Sequence, residues 1–238
     1  MVSLWPWLRS RQSAKHSVLQ RNEEHFVGFN PGKPIESYEF VSFDTELTGL
    51  NPRRDEIVSI GAVRIKNLRI VAGDNFFSYI QPTRNVPKNS TLIHRITPEQ
   101  IKNAPPPDMV LPGFVEFCNG ALLMGHYVAL DMAFLNKALL KHMGGTICNP
   151  QVDSLRLAET FHEYRQKHYR AATKTELSYN LNKLALEYGL PIFEQHDALE
   201  DALQTAYLFI FLVKNLRAAG YETLKDFSLA GRTAQSLL

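Results

Sequence analysis

The chain reads as an α/β domain, and three observations predict that class. Apolar strand patterns near residues 38–44, 56–66 and 69–80 follow one another closely enough for an antiparallel meander. Helical and strand patterns then alternate. Two long helices, about 129–143 and 197–218, each carry one broad apolar face. With 238 residues, 45% hydrophobic and 21% charged, the chain can bury one substantial core and shows no sign of two equal domains.

Residues 1–35 read as an N-terminal extension: Leu4-Trp5-Pro6-Trp7-Leu8, a basic polar stretch, then the turn-rich junction Asn30-Pro31-Gly32-Lys33-Pro34. The tryptophans either strap onto the domain's own surface or form a docking peptide for a polymerase or another protein. The domain proper is expected over 36–220, with 221–238 as a C-terminal tail. In the first strand, alternation puts Val41 and Phe43 on one face and Tyr38 and Phe40 on the other, and Thr48-Gly49 ends the run. Ala121–Gly125 reads as a buried strand. In the helix that follows, Leu130, Phe134 and Ala138 form one line with Leu135 and Leu139 beside it, and Gly144-Gly145 ends it. On the last long helix Ala198, Ala202, Ala206 and Phe209 make a stripe that Leu199, Leu203 and Ile210 widen.

Composition removes several function classes. Cys118 and Cys148 lack metal-ligand spacing, so neither a zinc site nor a disulfide framework is indicated, and a reducing cytoplasm is the expected setting. No apolar run is long enough to span a bilayer and the N-terminus lacks the apolar segment of a secretory signal, so no membrane partner is expected. The formal net charge of +2 is too small to announce nucleic-acid binding. A domain that concentrates acids at a metal site can still take up phosphate through its ions.

The chemistry-bearing residues lie in three pieces. Asp44 and Glu46, two apart on a strand, can share a face; side by side they repel unless a cation or shared proton compensates. Oxygen-only ligands suit hard divalent ions such as Mg2+ or Mn2+. Asp131 precedes Leu135 by one turn and projects near a buried face; alone, it also fits a first-turn acid favoured by the helix dipole. Asp201 lies one turn beyond Ala198, again beside a buried face. Five helical residues span about 500°, so His196 reaches Asp201 only from the connection before the helix. Asp197 is explained as a helix-start residue, Glu200 as a solvated helix face and Asp153 as structural or adjacent to the ligands.

Taken in order, the pieces resemble the DEDDh (DnaQ-like) 3′–5′ exonucleases, a family that includes the proofreading epsilon subunit of bacterial DNA polymerase III. Asp44-Thr45-Glu46-Leu47-Thr48-Gly49-Leu50 matches its first motif, and His196 with Asp201 its third. The second motif, in many relatives His-Asn-x-x-Phe-Asp, is here His126-Tyr127-Val128-Ala129-Leu130-Asp131, a departure that bears on the fit of the terminal nucleotide more than on the metal site. Ile93-His94-Arg95-Ile96-Thr97, Val152-Asp153-Ser154-Leu155 and Leu181–Leu184 with Tyr188-Gly189-Leu190 extend the resemblance from about residue 38 to about 226.

The resemblance implies a ribonuclease H-like exonuclease fold, a mixed five-stranded sheet flanked by helices. It also implies two divalent ions, Mg2+ or Mn2+, held by Asp44, Glu46, Asp131 and Asp201, with Asp44 bridging both and His196 as the general base that activates water. The substrate would be nucleic acid with a free 3′ end, single-stranded or frayed DNA first. Thr45, Leu47, Thr48, Gly49 and Leu50 would cradle the terminal nucleotide, Leu50 pressing on its base; core closure beneath the loop is the other reading of that segment. His94, His126 and Tyr127 are further candidate substrate contacts, His126 with a structural reading beside it. Trimming of RNA ends and a catalytically silent nucleic-acid or polymerase-binding module are the alternative functions.

Overall fold

The computed structural model describes residues 14–84, 86–168 and 178–230. Along the chain, helix α1 (Ser17–His25) precedes strands β1 (Phe40–Leu47), β2 (Ile57–Lys66) and β3 (Arg69–Tyr79). Helices α2 (Lys88–His94), α3 (Pro98–Lys102) and α4 (Pro107–Phe117) lead to β4 (Leu122–Gly125), α5 (Val128–Met143) and β5 (Gln151–Asp153). Helices α6 (Ser154–His168), α7 (Leu181–Glu187), α8 (Ala198–Ala218) and α9 (Leu224–Ala230) follow. The strands form one mixed sheet in the order β3-β2-β1-β4-β5, antiparallel on the β3-β2-β1 side and parallel from β1 to β5. The meander closes on a two-residue hairpin, Asn67-Leu68, both left-handed.

Strand alternation divides the core as the sequence predicts. Val41 and Phe43 face α4 and α5, where Phe43 meets Phe114 at 5.7 Å between ring centroids. Phe40 faces α8 and meets Phe209 at 4.8 Å. Gly144, left-handed at φ 70°, ends α5 where the sequence places the stop.

A row of small residues lets α8 lie directly on the sheet. The Ser42 hydroxyl donates to the Ala202 carbonyl at 2.7 Å. A Cβ on Gly61, the β2 partner of Asp44, would sit 2.2 Å from the backbone of Ala198 and Leu199. The first turn of α8 is therefore pressed against the strand pair at the level of Asp44.

The packed unit extends beyond 36–220 in both directions. Helix α1 buries Leu19 in the α4–α5 core; the Asn22 side chain donates to Asn149 Oδ1 (2.6 Å) and accepts from the Cys148 N–H (2.9 Å). At the other end Leu224 and Phe227 are buried, and the Leu224 and Lys225 N–H groups donate to the Lys33 and Pro31 carbonyls. The first segment reads as basic and polar and the second as a tail, and a few buried residues in each carry the docking. The Trp5–Trp7 segment, and residues 231–238 of the expected tail, lie outside the described residues. Among the described residues no helix is long and apolar enough to cross a membrane.

Gly61→Ala should force α8 off the sheet. Overpacking of this kind costs about 1–3 kcal/mol, so the melting temperature should fall by several degrees, with loss of any function that needs Asp201 beside Asp44; thermal melting and an activity assay on one preparation check both.

Candidate active site

Asp44 and Glu46 leave β1 on the face toward α8, and Thr45 between them points to the α5 side. Thr45 there joins the first motif to the second: its backbone N–H (3.1 Å) and hydroxyl (2.6 Å) both donate to Asp131 Oδ1. Asp131 is only 6% exposed. Asp197 starts α8 as the sequence predicts, accepting from the Leu199 and Glu200 N–H groups. Asp201 reaches back to accept the His196 N–H at 2.9 Å, and His196 itself is left-handed at φ 64° in the connection before the helix. Donor atoms of Glu46, His196 and Asp201 lie within 4.8 Å of one another.

Every candidate residue except Thr48 lines one open cleft of about 1030 Å³. Thr48 is buried and holds the loop: its N–H donates to the Glu56 carbonyl, its hydroxyl accepts the Glu56 N–H, and its carbonyl accepts the Ser90 hydroxyl. Core closure beneath the segment holds for Thr48 and Leu47, and the outer residues face the cleft. Leu47 packs against the core, while Leu50, 75% exposed, stands at the rim.

The three remaining candidates differ in freedom. His126 has both ring nitrogens engaged, by the Ser154 hydroxyl (2.9 Å) and the Tyr179 carbonyl (2.8 Å), which fits its structural reading. His94 is buried, with Nδ1 accepting the Ile96 N–H. Its Nε2 and the Ser59 hydroxyl have no protein partner, and both residues border a second cavity of about 150 Å³ shared with Glu46 and His196. Tyr127 stands exposed at the cleft wall in a left-handed conformation. Motif reading missed Gly61, Ser90, Ile93 and Arg156. A lone glycine inside a strand pattern signals close backbone approach and could have found Gly61; nothing in the sequence separates Arg156 from other surface cations.

The RNase_T family model, described as an exonuclease, matches residues 41–209. The chain belongs to this exonuclease family. Its members of the DnaQ-like group are 3′–5′ exonucleases, phosphodiester hydrolases. Among relatives, a DNA polymerase III subunit epsilon-like protein of Rhodobacter capsulatus is 36% identical over 193 residues, 80% of this chain and 26% of that protein. A PolC-type DNA polymerase III of Caldanaerobacter subterraneus is 35% identical over 190 residues, 80% of this chain. The chain spans only 13% of that polymerase's length. In fold it is similar to E. coli exonuclease I in complex with a dT13 oligonucleotide (TM-score 0.64, 16% identity, 77% of this chain and 42% of the other). It is also similar to exonuclease X in complex with 5′-overhanging duplex DNA (TM-score 0.59, 20% identity, 81% and 99%).

Burial, with repulsion from neighbouring acids added, raises the proton affinity of the acids in this cleft. Burial raises Glu46 to about 8, with Asp201, Asp131 and Asp197 adding repulsion. Burial takes Asp131 to about 7 despite its bonds from Thr45, and Asp201 to about 6 despite its bond from His196. Asp44, desolvated and facing Asp131, Asp201 and Glu46, is held well above the ordinary carboxylate range. Crowded, desolvated carboxylate oxygens are the donor chemistry of a hard divalent cation, whose charge would replace the protons.

A raised carboxyl pKa has a definite sign for stability. Below about pH 4 both the folded and unfolded forms of Glu46 are protonated and nothing is lost. As pH climbs from 4.5 through 8 the unfolded chain gives up its proton first, and the folded state loses stability. Glu46→Gln should thus match the parent's metal-free melting temperature at pH 4 and exceed it by about 5 °C or more at pH 8.5, at roughly 2–4 °C per kcal/mol. Saturating Mg2+ should shrink or reverse that gap; calorimetric scans across pH with and without the ion check it.

Proposed function

We propose that the protein removes nucleotides from free 3′ ends of single-stranded or frayed nucleic acid, DNA first, by metal-dependent hydrolysis with His196 as general base. The observation that carries this reading is the convergence of Asp44, Glu46, Asp131 and Asp201 from β1, α5 and α8 on one cleft, with an unshielded His196 beside them. The exonuclease I and exonuclease X structures, complexes with a dT13 oligonucleotide and with 5′-overhanging duplex DNA, support nucleic acid as the substrate. The epsilon-like and PolC-type relatives support work alongside a polymerase.

Two divalent ions bound by the four carboxylates would neutralise charge at the scissile phosphate and on the leaving 3′ oxygen. The chain's own residues do the rest. The bonds from Thr45 fix Asp131, and the bond between Asp201 and the His196 backbone fixes the connection while leaving the imidazole free to turn. His196 takes the proton from the attacking water. Leu50, at the rim, offers an apolar surface to the terminal base. Recognition by backbone, charge and stacking carries little base information, so sequence preference should be weak.

Parent protein with Mg2+ or Mn2+ should shorten a 5′-labelled oligonucleotide from its 3′ end, and a blocked 3′ end should suppress cleavage; efficient cutting of a closed single-stranded circle would overturn the exonuclease reading. Asp44→Asn should nearly abolish hydrolysis with folding intact, whereas Asp197→Asn should matter far less. Matched DNA and RNA oligonucleotides in the same assay decide the sugar.

His196→Ala should slow single-turnover cleavage by about 10²- to 10⁴-fold with metal and nucleic-acid binding largely kept. Under saturating metal one limb of the parent's pH–rate profile should shrink in the variant. Lost metal affinity with an unchanged pH limb would make His196 a ligand instead.

A further inference from the structure

Six carboxylates line the cleft: Asp44, Glu46, Asp131, Asp153, Glu159 and Asp201. Ions at the four motif acids can answer for the phosphate under attack, but a strand leaving the cleft carries further phosphates past Asp153 and Glu159. Among the described residues lining the cleft, Arg156 is the single Lys or Arg. It lies in the first turn of α6 and is bonded to Glu159 at 2.9 Å. An exposed pair of this kind contributes little, so a phosphate can take the guanidinium from Glu159 at small cost.

Lining the same cleft is Tyr127, the residue that precedes α5 and stands four before Asp131. Its ring is 54% exposed. Its backbone is left-handed, φ 60° and ψ 39°, a conformation that a bulky side chain adopts only when its surroundings impose it. Here they do. The Tyr127 N–H donates to Asp153 Oδ1 at 3.1 Å, and the same oxygen accepts the Leu155 N–H at 3.0 Å at the start of α6. The ring meets His126 edge-on at 5.2 Å, and His126 is itself pinned at both nitrogens. The result is a held aromatic surface near a cation in the same cleft as the carboxylates. The usual Asn of the second motif tolerates a left-handed backbone without cost; Tyr keeps the backbone and adds a ring.

We propose that Tyr127 and Arg156 form a subsite for the second nucleotide of a single strand, its base stacking on the Tyr127 ring and its phosphate bonding to the Arg156 guanidinium. This rests on the 3′-end reading of the cleft and adds a reason for the chain to hold oligonucleotides more tightly than mononucleotides.

The test is competition of thymidine 5′-phosphate, dT2 and dT3 against a fluorescein-labelled dT6, read by anisotropy with Ca2+ in place of Mg2+ to limit hydrolysis. In the parent, affinity should climb from one nucleotide to two. Tyr127→Asn removes the ring while keeping the backbone, so it should melt no lower than the parent yet lose about tenfold of that climb, the size of one base–aromatic stack. Arg156→Gln should lower the slope of log affinity against log salt by about 0.7, one phosphate's worth on a single strand. Lys66→Gln, which removes a cation paired with Glu39 and absent from the cleft lining, should leave the slope alone.

Equal gains from length in parent and Tyr127→Asn, or an unchanged salt slope in Arg156→Gln, overturn the subsite. A Mg2+ cleavage assay on the same preparations separates this from the exonuclease reading. A parent that binds with the expected length dependence but does not cleave keeps the subsite and removes the activity. Cleavage with no length dependence does the reverse.

Discussion

Burial of Asp44, Glu46, Asp131 and Asp201, compounded at Asp44 and Glu46 by repulsion from the other acids, is the cost that the surrounding structure has to hold against, because it deprives these groups of the water that would solvate and screen them. None of the elements that carry them depends on the site for its own stability. β1 is fixed by antiparallel pairing with β2 and by cores on both faces. α5 is anchored through Phe134, Leu135 and Leu139, and α8 through Phe209, Leu212 and Leu216. Each acid projects from the end of an element whose apolar length is buried elsewhere, so the repulsion bends no backbone. It is instead stored as raised proton affinity.

That arrangement makes the site responsive in two ways. Protons and a divalent cation compete for the same oxygens, so occupancy by metal rises with pH over the range in which Glu46, at about 8, and Asp131, at about 7, would otherwise hold protons. Occupied, the carboxylates cease to weaken the fold, and ion binding contributes to stability by mass action. The His196 connection is tied down through its backbone N–H by Asp201 and through the neighbouring Glu194, which pairs with Arg95 at the end of α2. His196 itself is left exposed, which suits the general-base role proposed for it.

Much of this was legible in the sequence because the relevant signals are local. Alternation in Tyr38–Phe43 set the two faces of β1, and Gly144 marked the end of α5. The angular argument that His196 must precede the helix of Asp201 holds because helical geometry admits no other way for five residues to converge. What the sequence did not carry is contact between distant segments. Leu19 and Asn22 dock a stretch that looks polar, and the Leu224–Phe227 segment packs although it reads as a tail. Periodicity weighs apolar count over a window, and these segments bury one or two residues each. The pinning of Asp131 by Thr45 was equally hidden, since the two are 86 residues apart and in sequence Thr45 reads as a contact to substrate rather than to Asp131.

Asp153 shows how the second motif comes to depend on a residue outside it. One of its oxygens serves the Tyr127 N–H and the Leu155 N–H together, so the turn into α5 and the turn into α6 close on a single atom. The neighbouring Ser154 hydroxyl bonds His126, and His126 extends the chain of contacts to the Tyr179 carbonyl ahead of α7. The turns that follow the paired strands β4 and β5 and the Tyr179 segment are thereby fixed relative to one another beside the cleft. Burial raises the Asp153 carboxyl, while the two backbone bonds pull the other way. A carboxylate held by backbone donors is already committed and offers little to a metal ion. Asp131 carries the same number of bonds, both from Thr45, so what sets Asp153 apart is that its donors close the turns into α5 and α6 rather than joining two motifs.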